Sequence, residues 1–537
     1  MPQSGGKNVA LRIDYVKRTI ALSAADLLGG RTRRIGYDRG DTFERLWIGQ
    51  AVHRRVQGDA LATVPGYEIE RAVRLTFPVE GFTVTFEGRL DGRYEENGRV
   101  IVDEVKSLHF EKDLAKLAGS PRLTRFELQL RWYLLAVAEA EGKPVEGRLV
   151  LADIESGATR VHPVVLDAAA TKGDLLRRVR VLLAELDEAQ ALAEAKAAEA
   201  ETLTFPFATY RPGQHQLESA VARAAAQGDH LLVEAPTGIG KTAATLVPLV
   251  VEALRSGKRL YVLTSKTTQQ EIFTRTLEAM GGDAYRSVRL RAKERMCAND
   301  VVLCHEDHCA YARDYGAKMA ESALLDRLMA ARARLEPDFV FEEARREAVC
   351  PFEVSLELSE VADVVVGDYN YVFDPIVALS AAKEPESLAG SILLIDEAHN
   401  LVDRGRGYYS PEIHEKSFDA IRHHLNTRNC WLEGWEELIE LLRGHLHTLA
   451  EEVETIGLCE PDRDFFLEQR LEWERLVAGY IGWKIENRIV EEDDPLIDFY
   501  FKLVKLTNLL AEDGEELSHI VERTPEGIKL KVFCKDP

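Results

Sequence analysis

Apolar and polar positions alternate with two different periods over the first two hundred residues. Spacings of three and four residues predict amphipathic helices, whereas strict alternation predicts half-buried strands. A polar, glycine-containing turn at 95–99 joins two of these strands as a hairpin. The predicted helices are 41–61, a segment around Trp132, and 168–202, with an exposed connector at its Ala/Glu-rich end, and the predicted strands are 67–77, 82–94, 100–106 and a group within 149–165.

Short apolar runs separated by helical segments dominate the next two hundred residues. The runs at 231–234, 259–264 and 391–395 are typical of buried strands in a parallel sheet, and 243–254 has the pattern of an apolar helix. Residues 405–537 are acidic and have a helical pattern. The chain is therefore predicted to be α/β, with a helical region late in the sequence.

Composition and charge limit the possible partners. The 537 residues are 46% hydrophobic and 29% charged, which is ordinary for globular proteins and long enough for two to four domains. No apolar run is long enough to span a bilayer, and the N-terminal residues lack the apolar core of a signal peptide, so we expect a cytoplasmic protein. The net charge of -22 confines any nucleic-acid contact to local grooves.

The segment 231–242 joins an apolar run to a glycine-containing turn and a Lys-Thr pair. Backbone N–H groups in such a turn surround the phosphate oxygens of ATP, with Lys241 near the β and γ phosphates and Thr242 as a Mg²⁺ ligand. Ala235 replaces the usual first glycine. A strand before the turn and a helix after it favour a nucleotide site over a chance match. The predicted nucleotide-binding residues are Ala235, Pro236, Thr237, Gly238, Ile239, Gly240, Lys241 and Thr242.

Gln214 follows a proline-containing segment shortly before this phosphate loop. Its amide can both donate to and accept from the edge of an adenine base, which predicts a base-sensing role. The alternative interpretation is a proline-broken loop that enters a helix.

Two acids, Asp396 and Glu397, end the apolar run at 391–395 in the sequence Asp-Glu-Ala-His. Downstream of a phosphate loop, Asp396 can hold Mg²⁺ through water and Glu397 can polarise the attacking water of ATP hydrolysis. His399 would couple this site to the rest of the enzyme. The donor-rich loop at 264–270 also follows a predicted strand, and we expect it to contact nucleic-acid phosphates.

A second acidic constellation lies in the N-terminal strands. Asp91 ends one strand, and Glu104 and Lys106 lie on one face of its partner because they are two residues apart. Carboxylates suit Mg²⁺ or Mn²⁺, which lowers the pKa of a bound water, and a lysine can stabilise developing negative charge. The alternative is an exposed cross-strand pair without chemistry.

Four of the seven cysteines lie between 297 and 350, and none precedes Cys297. Such thiols can enclose either tetrahedral Zn²⁺ or a [4Fe-4S] cluster. The absence of Cys-x-x-Cys spacing favours the cluster, His305 and His308 are rival ligands for zinc, and unligated buried cysteines are the third possibility. The candidate ligands are Cys297, Cys304, Cys309 and Cys350.

The N-terminal motifs, in chain order, are Gly49-x-x-x-His53 and the segments 88–91, 104–106 and 129–133. Together they resemble the RecB-like branch of the PD-(D/E)XK nucleases. The resemblance implies that His53, Asp91 and Glu104 bind Mn²⁺ or Mg²⁺ and that Lys106 is catalytic. It also implies that Gln129 and Tyr133 support the site or contact DNA. By itself, His53 is more often an ordinary helix histidine.

The motifs of the second half, in chain order, are 205–214, 235–242, 295–297, 350–352, 367–371 and 396–400. They resemble the XPD/DinG family of superfamily 2 DNA helicases. This resemblance implies ATP and Mg²⁺ as cofactors, an iron–sulfur domain inserted into a RecA-like motor, an arch domain, and 5′ to 3′ movement on single-stranded DNA. The implied domains are a nuclease at 1–188, a linker at 189–202, the motor at 203–290 and 356–404, the iron–sulfur domain at 291–355 and a helical arch at 405–537.

The family's second motor domain, which supplies an arginine to the ATP site, is not present in these 537 residues. We therefore expect a fragment or a split protein whose second motor domain is on another chain. The predicted function is an ATP-dependent helicase fused to a metal-dependent nuclease, acting on single-stranded or branched DNA in repair or processing. The alternative is a DNA- and ATP-binding module whose nuclease-like domain only grips DNA.

Overall fold

The structure is a computed structural model. It describes residues 11–28, 41–108, 117, 119–153, 158–236, 238–299, 302, 304, 309–382, 385–430, 433–487, 489, 494–510 and 516–536. The chain divides into two compact units between Leu192 and Ala193. No helix in these described ranges is long and apolar enough to cross a membrane.

The first unit is a mixed α/β domain with two sheets. One sheet has the strand order β1-β2-β4-β3 and the other β5-β6-β7-β8, with β2 parallel to β4 and β6 parallel to β7. The helices are α1 (Ala24–Leu28), α2 (Asp41–Thr63), α3 (Pro121–Glu141) and α4 (Ala168–Ala200), and the strands are β1 (Arg12–Asp14), β2 (Thr19–Leu22), β3 (Arg71–Val79), β4 (Phe82–Leu90), β5 (Gly92–Glu96), β6 (Arg99–Leu108), β7 (Val145–Asp153) and β8 (Thr159–Val164).

The predicted continuous strand at 82–94 is wrong, because the chain changes sheets at Asp91. The crossing is tight: a Cβ atom at Gly92 would lie 1.7 Å from the Tyr67 hydroxyl, so only glycine fits there. Helix α3 covers the sheets with its buried residue Trp132, whose ring meets that of Phe86 edge-on at 6.1 Å. This arrangement leaves Asp91 at the junction of the two sheets.

The central sheet of the second unit is parallel, with the order β11-β10-β12-β9-β13. Alternate residues of β9 enter different cores: Leu260 and Val262 pack on one face, and Tyr261 and Leu263 on the other. The strands are β9 (Arg259–Thr264), β10 (Ser287–Arg289), β11 (Arg334–Leu335), β12 (Val364–Asp368) and β13 (Ser391–Ile395), and the helices are α5 (Gln214–Gln227), α6 (Lys241–Ser256), α7 (Thr267–Met280), α8 (Lys293–Met296), α9 (Tyr315–Ser322), α10 (Leu324–Ala331), α11 (Pro337–Arg346), α12 (Pro351–Val361), α13 (Asn370–Phe373) and α14 (His399–Tyr408).

Two predictions about this sheet are wrong. The apolar run at 231–234 is not a strand, and its Leu232 side chain is 90% exposed. Among the described residues, β13 consequently pairs only with β9. The expected loop at 264–270 is also shorter than predicted, because α7 already begins at Thr267.

The connector predicted at the end of α4 is not a plain exposed helix. Within the second unit, Lys196 Nζ lies 2.6 Å from an Asp363 carboxylate oxygen. The Glu199 carboxylate accepts hydrogen bonds from the backbone N–H groups of Asp283 and Ala284, at 2.7 and 2.8 Å. Ala200 is buried. The last turns of α4 therefore pack within the second unit, which the Ala/Glu-rich composition did not indicate.

The prediction of a purely helical late region is wrong. The region combines helices with an antiparallel sheet of order β14-β17-β16-β15. Its core contains the buried Trp435 and Trp473, whose rings meet edge-on at 5.4 Å. The elements are β14 (Glu412–His414), α15 (Lys416–Arg428), α16 (Trp435–Leu449), β15 (Ile456–Leu458), α17 (Arg463–Glu486), α18 (Pro495–Leu510), β16 (Leu517–Thr524) and β17 (Gly527–Cys534).

Candidate functional sites

The predicted nuclease residues meet around Lys106 on β6. Lys106 Nζ donates to Glu104 Oε1 at 2.7 Å and to Gln129 Oε1 of α3 at 3.3 Å. The Gln129 amide in turn donates to the Tyr133 hydroxyl at 3.3 Å. Because Glu104 is only 2% exposed, the alternative of an exposed cross-strand pair is excluded.

Asp91 and His53 complete this cluster. His53 Nδ1 lies 3.9 Å from Asp91 Oδ2, and the same oxygen accepts the Val105 N–H at 2.7 Å. Gln57 of α2, which the sequence did not single out, donates to the Asp91 carbonyl at 2.9 Å. The break between β4 and β5 thus fixes Asp91 beside β6.

Burial sets the charge states of this cluster. It raises the pKa of Glu104 to about 7, with Lys106 opposing and the Asp91 charge adding to the rise. Burial also raises the pKa of Asp91 and lowers that of His53. Burial opposes the charge on Lys106, but the carboxylates of Glu104 and Asp91 outweigh it and raise the Lys106 pKa. One lysine therefore compensates two buried acids.

The donor types of this cluster suit Mg²⁺ or Mn²⁺, since two carboxylates and an imidazole face one another. In the positions that their side chains take, no group of three His, Cys, Asp or Glu within the described ranges is arranged to hold a metal ion. The cation beside Glu104 is instead the Lys106 ammonium, 2.7 Å from Glu104 Oε1.

The phosphate loop leads into α6, whose N-terminal cap residue is Gly240. Gly238 and Gly240 have φ angles of 87° and 83°, which favour glycine. No side chain caps the first turn of α6, so its N–H groups are available for phosphate oxygens. Lys241 Nζ donates to the Ala235 carbonyl at 3.3 Å. Thr237 lies outside the described residues.

Gln214 holds this loop rather than pointing away from it. Its amide donates to the Gly240 carbonyl at 3.0 Å and accepts the Arg211 N–H at 2.9 Å. The Arg211 guanidinium donates to the Gly238 carbonyl. A Cβ atom at Gly240 would lie 2.3 Å from Gln214 Nε2. Arg211 is a loop contact that sequence reasoning missed, although it lies within the quoted 205–214 motif.

The acids after β13 lie opposite the phosphate loop. Glu397 Oε1 is 3.9 Å from Lys241 Nζ, and Glu397 Oε2 is 3.4 Å from His399 Nδ1. Burial, followed by the Glu397 charge, raises the pKa of Asp396. The structure thus brings together the two predicted halves of an ATP site.

The four candidate cysteines line one cavity, together with Lys293, Asn299 and Phe352. Asn299 Nδ2 lies 3.2 Å from Cys309 Sγ. Burial raises the pKa of Cys350 to about 12 and also raises that of Cys297. Four thiols facing one space are a suitable donor set for a cluster, although the part of the chain that is described contains no ready-made metal-binding group. His305 and His308 lie outside the described residues.

Two helicase family models match the second unit. Residues 214–301 match the model described as DEAD/DEAH box helicase, and residues 279–418 match the model DEAD_2. Together these matches cover the phosphate loop, the four cysteines and the acids after β13.

The curated relatives are helicases. The general transcription and DNA repair factor IIH helicase subunit XPD of Arabidopsis thaliana is 26% identical over 311 residues, 52% of this chain and 37% of that protein. The ATP-dependent helicase DinG of Mycobacterium tuberculosis is 29% identical over 236 residues, 36% of this chain and 35% of DinG. The chain thus spans about a third of the length of these relatives.

Among solved structures, one titled "Truncated XPD" aligns with 60% of this chain at 17% identity, with a TM-score of only 0.37. The two family-model matches together span one segment of the chain. Residues 214–418 are similar to DEAD/DEAH box helicases of the XPD and DinG type.

Proposed function

We propose that the second unit is the ATP-binding motor of an XPD/DinG-like DNA helicase, driven 5′ to 3′ on single-stranded DNA by MgATP hydrolysis. The observation that carries this proposal is the 3.9 Å approach of Lys241 Nζ to Glu397 Oε1, which sets a phosphate loop against an acid pair. The helicase family models over 214–418 and the named relatives support the same assignment.

In this proposal, the N–H groups around Gly238 and Gly240 bind phosphate oxygens, and Lys241 neutralises the charge of the β and γ phosphates. Thr242 and Asp396 would hold Mg²⁺, which supplies further charge neutralisation. Glu397 orients and polarises the attacking water. Gln214 keeps the loop open to phosphate by holding the Gly240 carbonyl, and the adenine contact predicted for it belongs to the same proposal.

ATP hydrolysis with and without oligo-dT tests the motor. Lys241→Ala should abolish nucleotide binding, because the phosphate charge loses its partner. Glu397→Gln should retain binding but slow hydrolysis by about 100-fold or more, since the polarising carboxylate is gone. Glu252→Gln on α6 is a matched control. Full ATPase activity in Glu397→Gln would contradict the catalytic role of Glu397.

We also propose that the first unit is a metal-dependent DNA nuclease. The specific observation is the contact of the buried Glu104 with Lys106 beside Asp91, because a carboxyl group with a strongly raised pKa next to a charged partner is typical of functional sites. His53, Asp91 and Glu104 would hold Mn²⁺ or Mg²⁺, which activates water, and Lys106 would stabilise the charge that develops on the phosphate. The rival is a nuclease fold that only grips DNA.

Mn²⁺-dependent cleavage of labelled single-stranded and branched DNA separates the nuclease from the grip. Loss of cleavage in Glu104→Ala, with the activity of Glu127→Gln intact, supports the nuclease, since Glu127 lies on α3 and pairs with Arg131 and His162 instead. Binding without cleavage by the parent protein supports the grip.

A [4Fe-4S] cluster on Cys297, Cys304, Cys309 and Cys350 is proposed from their common cavity. Such a cluster would hold together the segment between α8 and α12, which lies in the sequence between two parts of the proposed motor. We also propose the domain boundaries predicted from the sequence, a role in DNA repair, a cytoplasmic location and a partner chain with the second motor domain.

A further inference from the structure

The strand ends of the motor sheet place Tyr369 across from the catalytic acids. In the register of the sheet, Asp368 at the end of β12 is level with Thr264 of β9, and Ile395 of β13 is level with Leu263 of β9. Tyr369 and Asp396 therefore follow directly on opposite sides of β9. Strands lie about 4.8 Å apart, so a tyrosine side chain can bridge the intervening strand.

Tyr369 makes this bridge with its hydroxyl group. It is fully buried and donates to the Asp396 carbonyl and, at 3.1 Å, to the Glu397 carbonyl. The Ser265 side chain is also hydrogen-bonded to the Tyr369 hydroxyl. Ser265 follows β9 directly. Ser265 and Lys266 belong to the loop that was predicted to contact nucleic acid, and both line a surface cleft.

Glu397 needs such support because its backbone is strained. Its φ angle of 52° lies in the left-handed region, where a residue with a side chain persists only when its surroundings hold it. Its carbonyl accepts from the Asn400 N–H at 2.9 Å and the Asn400 side chain at 3.2 Å, as well as from Tyr369. These three donors fix the peptide from which the Glu397 carboxylate projects toward Lys241.

We propose that Tyr369 is a positioning residue: its hydroxyl holds the Asp396–Glu397 backbone and links the Ser265–Lys266 loop to the acid that polarises water. The proposal rests on the proposed ATPase function. The role of Tyr369 is to transmit the binding of a nucleic-acid strand at Ser265 and Lys266 to the geometry of Glu397. Neither the family models nor the sequence motifs assign this role.

Hydrogen exchange without any ligand tests the positioning role directly. Tyr369→Phe keeps the buried ring and removes only the hydroxyl, so the protein should fold with an unchanged melting curve. Amides within 396–401 should then exchange about tenfold faster, since a hydrogen bond contributes roughly this factor. Tyr371→Phe is the matched control, because its hydroxyl donates to the Arg291 carbonyl instead. Unchanged exchange in Tyr369→Phe would overturn the proposal, whatever the ATPase does.

Steady-state kinetics with oligo-dT test the link to the nucleic-acid loop. In Tyr369→Phe, kcat should fall about tenfold with KM for ATP within about twofold, and the stimulation by oligo-dT should be lost. A general structural defect would raise KM as well. Retained stimulation at unchanged kcat would refute the link. If the parent does not bind a fluorescent ATP analogue but the exchange effect is present, the proposed function fails and the positioning role stands.

Discussion

Gly88 on β4 faces Tyr133 on α3 so closely that a Cβ atom at Gly88 would lie 2.4 Å from Cε1 of that ring. Tyr133 accepts the hydrogen bond of Gln129, which in turn accepts one from Lys106. The glycine of the 88–91 motif therefore makes room for the side chains that orient the proposed catalytic lysine.

We expect Gly88→Ala to push Tyr133 out of place and to reduce Mn²⁺-dependent cleavage by about tenfold or more, because small displacements of positioned groups are costly. Gly173→Ala is the control, since an added Cβ atom there meets no atom within 4 Å. Cleavage assays and melting curves of both variants check this. Undiminished cleavage by Gly88→Ala would show that Tyr133 does not support the site.

The Gln214 side chain donates to the Gly240 carbonyl, and a carboxylate could not. Gln214→Glu should therefore weaken binding of a fluorescent ATP analogue by about tenfold, because one hydrogen bond is lost and the new carboxylate repels the Gly240 carbonyl oxygen. Gln216→Glu adds the same charge at an exposed position of α5 and should bind normally. Equal affinities of the two variants would contradict a role for Gln214 in holding the loop.

Cys304→Ser should remove iron, sulfide and visible absorbance if the four thiols hold a [4Fe-4S] cluster, because three thiolates bind it far less well. Cys430→Ser is the matched control, since Cys430 is equally buried but lies in the core of the late region. Metal analysis of protein purified without oxygen is the measurement. Stoichiometric zinc in the parent would refute the cluster.

Asp494 binds Lys484 at 2.5 Å and Tyr480 at 2.8 Å in the core of the late region, where all three side chains are buried. Burial opposes ionisation of Asp494, but the Lys484 and Tyr480 hydrogen bonds outweigh it and hold the Asp494 pKa below its usual 3.8. Asp494→Asn removes the carboxylate that faces the buried Lys484 ammonium and should lower the free energy of unfolding by about 3 kcal/mol.

The pH dependence of this loss follows from the direction of the shift. A depressed folded-state pKa contributes stability that is present above the ordinary carboxyl pKa and disappears as pH falls through the folded-state value. The contribution of the Asp494 carboxylate to the difference between parent and Asp494→Asn should be constant above about pH 5 and shrink only below about pH 4. Denaturant melts across this range check it, with exposed Asp464→Asn as the control. A gap that closes near neutral pH would show that another group is responsible.

Local patterns in the sequence predicted where several candidate side chains lie. The alternation of Glu104 and Lys106 correctly placed both on one face of β6, and the run at 259–264 matches β9 residue for residue. Tyr369 could not be assigned its contacts in the same way, because they depend on the order of β12, β9 and β13, which sequence spacing does not contain. The run at 231–234 has the apolar pattern of a strand but pairs with no strand among the described residues, and nothing in its own pattern distinguishes it from the runs that do pair.

That run and β13 also govern how this protein behaves in concentrated solution. Leu231, Leu232 and Val233 are exposed, and among the described residues one edge of β13 is unpaired beside a partly exposed Leu393. An apolar edge with free backbone N–H and carbonyl groups is a template for strands of other molecules. We therefore expect this edge to be the first place at which recombinant copies of the chain pair with one another at high concentration.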